Sequence, residues 1–246
     1  MKADPEVQLR LLRLQGLDSA LARLEHRRRT LPELAVIATA EARLAELRDA
    51  MIRAETEVDD LDRDLRRLEN DVEQVRARAD RDRQRMQSGA VPARELESLQ
   101  HEIESLIRRQ ADLEDAELEV MERREAGESR AAELRSEVDR LTAERDAGTA
   151  ARDTAWAAID TEAAEDTTAR ATVAAELPGE LLALYEKVRA AAGGVGAAEL
   201  RQRRCEGCRL ELAGAELRAA RAAPPDEVLR CDNCRRILVR TAESGL

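Results

Sequence analysis

The sequence predicts a mainly α protein: a long antiparallel coiled-coil helical hairpin followed by a small C-terminal β module gathered around cysteines. Three observations carry this expectation. The composition is that of long helices, with 38% charged residues, no Phe, one Trp (Trp156) and one Tyr (Tyr185) in 246 residues. A compact globule of that length buries more aromatics. Apolar residues recur in heptads on both sides of one Gly/Pro break. The only four cysteines stand in two CxxC pairs near the C-terminus.

The ascending strand opens with a heptad at Val7, Leu14, Leu17, Leu21 and Leu24. Over residues 40–87 the seam is sustained through Leu44, Leu47, Met51, Ala54, Val58, Leu61, Leu65, Leu68, Val72, Val75, Ala79 and Met86. Steps of three and four give a narrow stripe that must be buried against another helix. Ser88-Gly89-Ala90-Val91-Pro92 interrupts it, with Gly suited to a helix end and Pro to the next first turn. A second seam follows through Leu96, Leu99, Ile103, Leu106, Leu113 and Val120, with Gln110 and Glu117 as polar exceptions. It lapses at Arg124 and Gly127 and resumes at Ala131, Leu134, Val138 and Leu141.

Matched seams about a short break imply an antiparallel hairpin over residues 1–177, turning near 88–93. With the turn centred at Gly89–Val91, facing residues have numbers summing to 180–182, so that Met86 meets Leu96 and Leu44 meets Val138. The first heptad then faces residues 157–175, including Ile159 and Val173. Pro32 falls opposite Gly148, which suggests a kink near 32/148 in both strands. Each fully helical arm would reach about 120 Å. A parallel intermolecular coiled coil is the alternative, disfavoured by the turn at the midpoint of the pattern. The pattern leaves the choice between monomer and dimer open.

Leu177-Pro178-Gly179 closes the hairpin. Residues 178–196 read as a short amphipathic helix, with Leu181, Leu184, Tyr185 and Val188, and then a flexible joint or tight turn at Gly193-Gly194-Val195-Gly196. Residues 197–246 read as strand, CxxC, strand, twice: a strand at about 197–204, a short helix or turn at 215–222, and a strand at Ile237-Leu238-Val239.

Cys205-Glu206-Gly207-Cys208 and Cys231-Asp232-Asn233-Cys234 are separated by 22 residues. Each pair aims two sulfurs at one point, and two pairs complete the tetrahedral S₄ set that zinc favours. Disulfides are less apt, because the start of the chain carries no apolar signal segment and a reducing cytoplasm favours metal. A redox CxxC calls for one pair, not two. Iron on four thiolates is chemically allowed and spacing does not exclude it. The expectation is one structural Zn²⁺ on Cys205, Cys208, Cys231 and Cys234, with no coordination position left for an activated water. A module of about 50 residues with few apolar groups needs such a staple.

Charge is uneven. Residues 199–246 hold 10 Lys+Arg against 8 Asp+Glu, whereas the remainder holds 31 against 44. The acidic portion repels nucleic acid. The mildly basic C-terminal module offers Arg203, Arg204, Arg209, Arg235 and Arg236 as candidate nucleic-acid contacts. It lacks an aromatic for base stacking, and its arginines also have Glu206, Glu211, Glu216 and Asp232 as neighbours to pair with. No apolar run approaches the roughly 20 residues needed to span a bilayer, so the expectation is a cytoplasmic protein without membrane contact. An enzyme is not expected: His26 and His101 sit among charged helix formers, and no GxGxxG, GxxxxGK[ST], HExxH or GxSxG occurs.

The cysteine segments, with Arg209-Leu210-Glu211-Leu212, Pro224-Pro225-Asp226-Glu227 and Cys231-Asp232-Asn233-Cys234-Arg235-Arg236-Ile237-Leu238-Val239, resemble a known bacterial family. Its members join an N-terminal coiled-coil hairpin to a C4-type zinc ribbon, and the Arg-rich ends and Ala-rich arms look like an actinobacterial member. The family pattern has Gly after the last cysteine, where this chain has Arg235. The resemblance implies a non-enzymatic, zinc-binding adaptor or chaperone with a protein partner. In relatives this is the alternative sigma factor of flagellar genes, or transcript-handling or secretion components.

Overall fold

The computed structural model describes residues 1–89 and 91–246. The order of elements is α1 (Pro5–Arg29), α2 (Pro32–Gln87), α3 (Ala93–Ala175), α4 (Gly179–Ala191), β1 (Ala197–Arg201), β2 (Arg204–Cys205), α5 (Gly214–Ala222), β3 (Leu229–Arg230) and β4 (Ile237–Arg240). This is the expected mainly α hairpin with a small C-terminal sheet. Of the turn expected near 88–93, Ala90 lies outside the described residues; Gly89 has φ +69°. Contacts group Ala35–Thr149 into one unit and Met1–Leu34 with Ala150–Leu246 into another. The heptads alone group residues 1–177 together. The packing instead ties both ends of the hairpin to the cysteine module.

In the unit Ala35–Thr149, α2 buries Ala40, Leu44, Leu47, Ala54, Leu61 and Ala79 at heptad spacing, and α3 answers with Leu99, Ile103, Leu113, Ala131 and Leu141. The register differs from the expected one. A Cβ on Gly127 would lie 3.1 Å from Val58 Cγ2, and one on Gly148 would lie 3.3 Å from Ile37 Cγ1. Leu44 clusters with Leu141 as well as Val138. Facing numbers therefore sum to about 185, not 180–182. The two glycines admit bulky α2 side chains where the helices approach closely, and this sets the register more firmly than a symmetric turn does. Leu96, placed in the seam by sequence, is left 37% exposed. Polar residues occupy seam positions without breaking α3: Gln110 Nε2 donates to Glu114 at 2.8 Å, and Arg124 pairs with Asp62 and Glu128.

In the other unit, Asp4 caps α1 by accepting from Glu6 N–H at 2.8 Å, with Pro5 pre-set for the first turn. The expected break is present in the ascending strand alone, at Thr30–Leu31, whereas α3 runs unbroken through Gly148. The proline that starts α2 explains the first fact. In a continuous helix the N–H of residue 32 would bond the Arg28 carbonyl, and Pro32 has none. Trp156 Nε1 supplies the missing donor, at 3.2 Å from Arg28 O. The Arg28 and Arg152 guanidinium groups lie over its indole, 4.8 and 4.6 Å from the ring centroid. Leu24, Leu31 and Ile159 pack beside it, as the first heptad requires.

The sheet order is β2-β1-β4-β3. The central strands β1 and β4 pair in parallel, Ala197 with Ile237 through Leu200 with Arg240, and the outer strands are antiparallel to their neighbours. Side-chain alternation divides the central strands between two cores. Ala197, Ile237 and Val239 face Leu11, Leu14, Val173, Leu177, Leu181 and Tyr185. Ala198, Leu200 and Leu238 face Cys205, Cys231, Leu212 and Ala220. The first core is helical in origin, so the sheet has apolar support on the face away from the cysteines.

Candidate metal centre and its supports

Each cysteine pair sits in a tight backbone turn. Arg209 N–H donates to Cys205 O at 2.7 Å and Arg235 N–H to Cys231 O at 2.8 Å. Cys205 and Cys231 N–H return bonds to Leu210 O and Arg236 O at 3.0 and 2.9 Å. The residue after each pair must turn left-handed, and Arg209 and Arg235 do so at φ +58° and +62°. Arg235 thus keeps the turn where the related pattern has Gly, at a steric cost of about 1 kcal/mol. Gly207 is fixed by space: a Cβ there would meet Arg236 Cδ at 2.6 Å and Ala198 Cβ at 3.0 Å. Helix α5 steadies the second turn, with Glu216 Oε1 accepting from Asp232 N–H at 3.0 Å.

The two turns bring the four sulfurs within 4.8 Å of one another. Cys205 Sγ is 3.8 Å from Cys234 Sγ, and Cys208 Sγ is 3.8 Å from Cys231 Sγ. A tetrahedron with Zn–S bonds of about 2.3 Å has edges of about 3.8 Å. The donor set therefore fits one zinc ion, closed by protein on all sides. Burial pushes the Cys205 and Cys231 thiols above their ordinary range. At Cys234 burial acts in the same direction, but the Arg236 backbone N–H and the neighbouring Cys231, Arg236 and Cys208 side chains outweigh it, leaving the thiol at about 7. Burial opposes thiolate formation, and a bound cation offsets it.

The five candidate arginines separate in the structure. Arg236 leaves the set: its guanidinium donates to the carbonyls of Val195 (3.1 Å), Gly207 (3.0 Å) and Ala192 (2.7 Å). It fastens the first cysteine turn to the joint after α4. Arg203 donates through Nε to Gly245 O at 3.2 Å. Arg204, Arg209 and Arg235 are exposed, with no ion pair among the described residues. The pairing with Glu206, Glu211 and Asp232 allowed by sequence is likewise not found among the described residues; Glu216 is engaged by backbone. Arg240 is a further carbonyl clamp, donating to Ala223, Pro224, Pro225 and Glu227.

A second polar assembly leaves little local mark in the sequence. Asp18 on α1 has a fully buried carboxylate. It accepts from Arg170 Nε at 2.7 Å and Tyr185 Oη at 2.6 Å, and Arg189 Nη2 lies 3.1 Å away. Glu186 pairs with both arginines. Two carboxylates thus balance two guanidinium groups. Burial and the Asp18 carboxylate push the Tyr185 hydroxyl well above its ordinary range. One turn earlier on α1, Gln15 Oε1 accepts from Gly196 N–H at 2.7 Å and Ala197 N–H at 3.3 Å, and its Nε2 donates to Gly194 O at 3.1 Å. The glycine segment 193–196 is therefore a clamped turn, with Gly193 and Gly194 at φ +68° and +90°. The only trace in the sequence is a pair of polar residues, Gln15 and Asp18, on the apolar face of the first heptad.

A helical hairpin with a four-cysteine zinc ribbon is a recognisable class of protein. Residues 14–193 match the CT398-like coiled coil hairpin domain, and residues 204–238 match the C4-type zinc ribbon domain. The chain belongs to the CT398-like coiled-coil hairpin family. An uncharacterized protein of Mycobacterium tuberculosis is 41% identical over 240 residues, covering 98% of both chains. One from Mycobacterium leprae is 32% identical over 218 residues, covering 88% of this chain and 93% of the relative. A solved structure from Mycobacterium smegmatis superposes with TM-score 0.88 at 38% identity, covering 98% of this chain and all of that one. CT398 from Chlamydia trachomatis shares the fold, with TM-score 0.70 at 18% identity and 96% and 98% coverage. Among the described residues no helix is long and apolar enough to cross a membrane.

Proposed function

We propose that the protein is a non-enzymatic adaptor that presents a rigid, zinc-stapled surface to a protein partner in the cytoplasm. One observation carries this reading: the polar groups capable of chemistry are consumed by structure. The four sulfurs close on one ion, and Asp18, Tyr185, Gln15, Arg170 and Arg236 satisfy one another or backbone carbonyls. None of these groups is left poised as a nucleophile or general base. Transcription and secretion components are the partner classes that the family resemblance suggests. Cross-linking of the zinc-loaded chain in native extract, followed by mass spectrometry, is expected to recover one stoichiometric protein. Turnover of a substrate abolished by Asp18→Asn would overturn the reading.

A second reading, nucleic-acid binding by the ribbon, is favoured by Arg204, Arg209 and Arg235, which are exposed and have no ion pair among the described residues. Gel shifts at moderate salt test it: Arg204→Ala/Arg209→Ala/Arg235→Ala is expected to abolish any complex formed through this face, and a shift that survives would reject it.

A further inference from the structure

Helix α3 buries one face against α2 through its heptad seam. The face flanking that seam carries Ile107, Leu118 and Met121, which are 45%, 58% and 46% exposed. Spacings of eleven and three place them on one stripe, because eleven residues are close to three full turns. Single exposed apolar residues are ordinary, but three aligned large ones on a soluble helix mark a contact face. The stripe spans about four turns, or roughly 21 Å.

Charge identifies what fits there. The unit Ala35–Thr149 holds 20 Arg against 31 Asp+Glu and therefore carries a charge equal to the whole chain's −11; the other unit is neutral. Some carboxylates elsewhere on the arm are matched, as in Arg135–Glu55 and Arg140–Glu137. On the stripe, Asp115, Glu122 and Glu125 are exposed and have no ion pair among the described residues. A second copy of this chain would bring the same negative charge to the contact, and nucleic acid or an anionic membrane would be repelled. A helix with apolar anchors at i, i+3 and i+11 and Lys/Arg at its edges would bury the three side chains and pair the carboxylates.

We propose that the Ile107–Leu118–Met121 face of α3 docks a basic amphipathic helix of about four turns from a partner protein. This rests on the adaptor reading and names its surface.

The test uses the full-length zinc-loaded chain and two fluorescent helical peptides of equal apolar pattern, one Lys/Arg-edged and one Glu-edged. The basic peptide is expected to bind at least tenfold tighter, and Leu118→Gln/Met121→Gln to weaken it at least tenfold. Ile52→Gln, 57% exposed on α2, is the matched control and should leave binding unchanged. Absence of binding, equal binding of both peptides, or indifference to Leu118→Gln/Met121→Gln would overturn the proposal. So would a sedimenting dimer that this double substitution dissociates. A natural partner captured equally by wild type and Leu118→Gln/Met121→Gln would reject this face and leave the adaptor reading standing.

Discussion

Asp18→Asn tests whether the base of the hairpin is held by charge. The carboxylate is fully buried and gathers Arg170, Arg189 and Tyr185 within 2.6–3.1 Å. Removing one partner from a buried pair costs about 3–5 kcal/mol. Asparagine keeps one acceptor oxygen and Glu186 still holds both arginines, so about 2–3 kcal/mol is expected here. At 1.4 kcal/mol per decade this is roughly 30- to 150-fold faster amide exchange in α4 and the clamped turn. Hydrogen exchange resolved by fragment measures it directly, without assuming one cooperative transition for a chain of two units. A cycle with Arg170→Met should show coupling of about 1–3 kcal/mol. A change below about 0.5 kcal/mol, or strict additivity, would refute the network as a determinant of stability.

Four further outcomes are expected. The isolated protein should contain one zinc per chain, and Cys231→Ser should lose it and unfold the cysteine face of the ribbon, with far-UV circular dichroism at 222 nm largely retained; metal analysis showing unchanged zinc would reject the ligand set. Arg235→Gly should relieve left-handed strain and stabilise the ribbon by about 0.5–1 kcal/mol, read as two- to fivefold tighter zinc in chelator competition. Trp156→Phe should orphan the Arg28 carbonyl and cost about 1–2 kcal/mol, seen as faster exchange at the end of α1. Tyr185 keeps its proton in the folded state while the unfolded phenol ionises near pH 10, so wild-type stability should fall above that pH relative to Tyr185→Phe, by up to about 1.4 kcal/mol per pH unit; parallel profiles for the two proteins would contradict the assignment.

Much of the fold was legible because its signals are periodic and local. A heptad announces a helix that needs a partner, and a CxxC pair announces a turn with two sulfurs. Register was less legible, because it depends on close approach at Gly127 and Gly148, which read in sequence only as lapses in the pattern. The break in the ascending strand is marked in sequence by Pro32, but its repair by Trp156 is not, since a donor 128 positions from the Arg28 carbonyl leaves no local mark. The arginines were the hardest to sort. Arg235 and Arg236 are adjacent in the chain, yet one faces solvent and the other closes three carbonyls. Only the path of the backbone around each distinguishes them.

The sheet's central strands meet α1, and Ala3 N–H donates to Asp226 O at 2.7 Å. The first helix meets α3 and α4 first, and its set of neighbours is complete only when β4 has been synthesised. At ribosomal speeds of about 5–20 residues per second, α1 waits roughly 10–40 s with Leu11 and Leu14 incompletely covered. Nascent-chain chaperones have their longest opportunity at this helix, and truncation just before β4 should leave a product that is helical yet prone to aggregate.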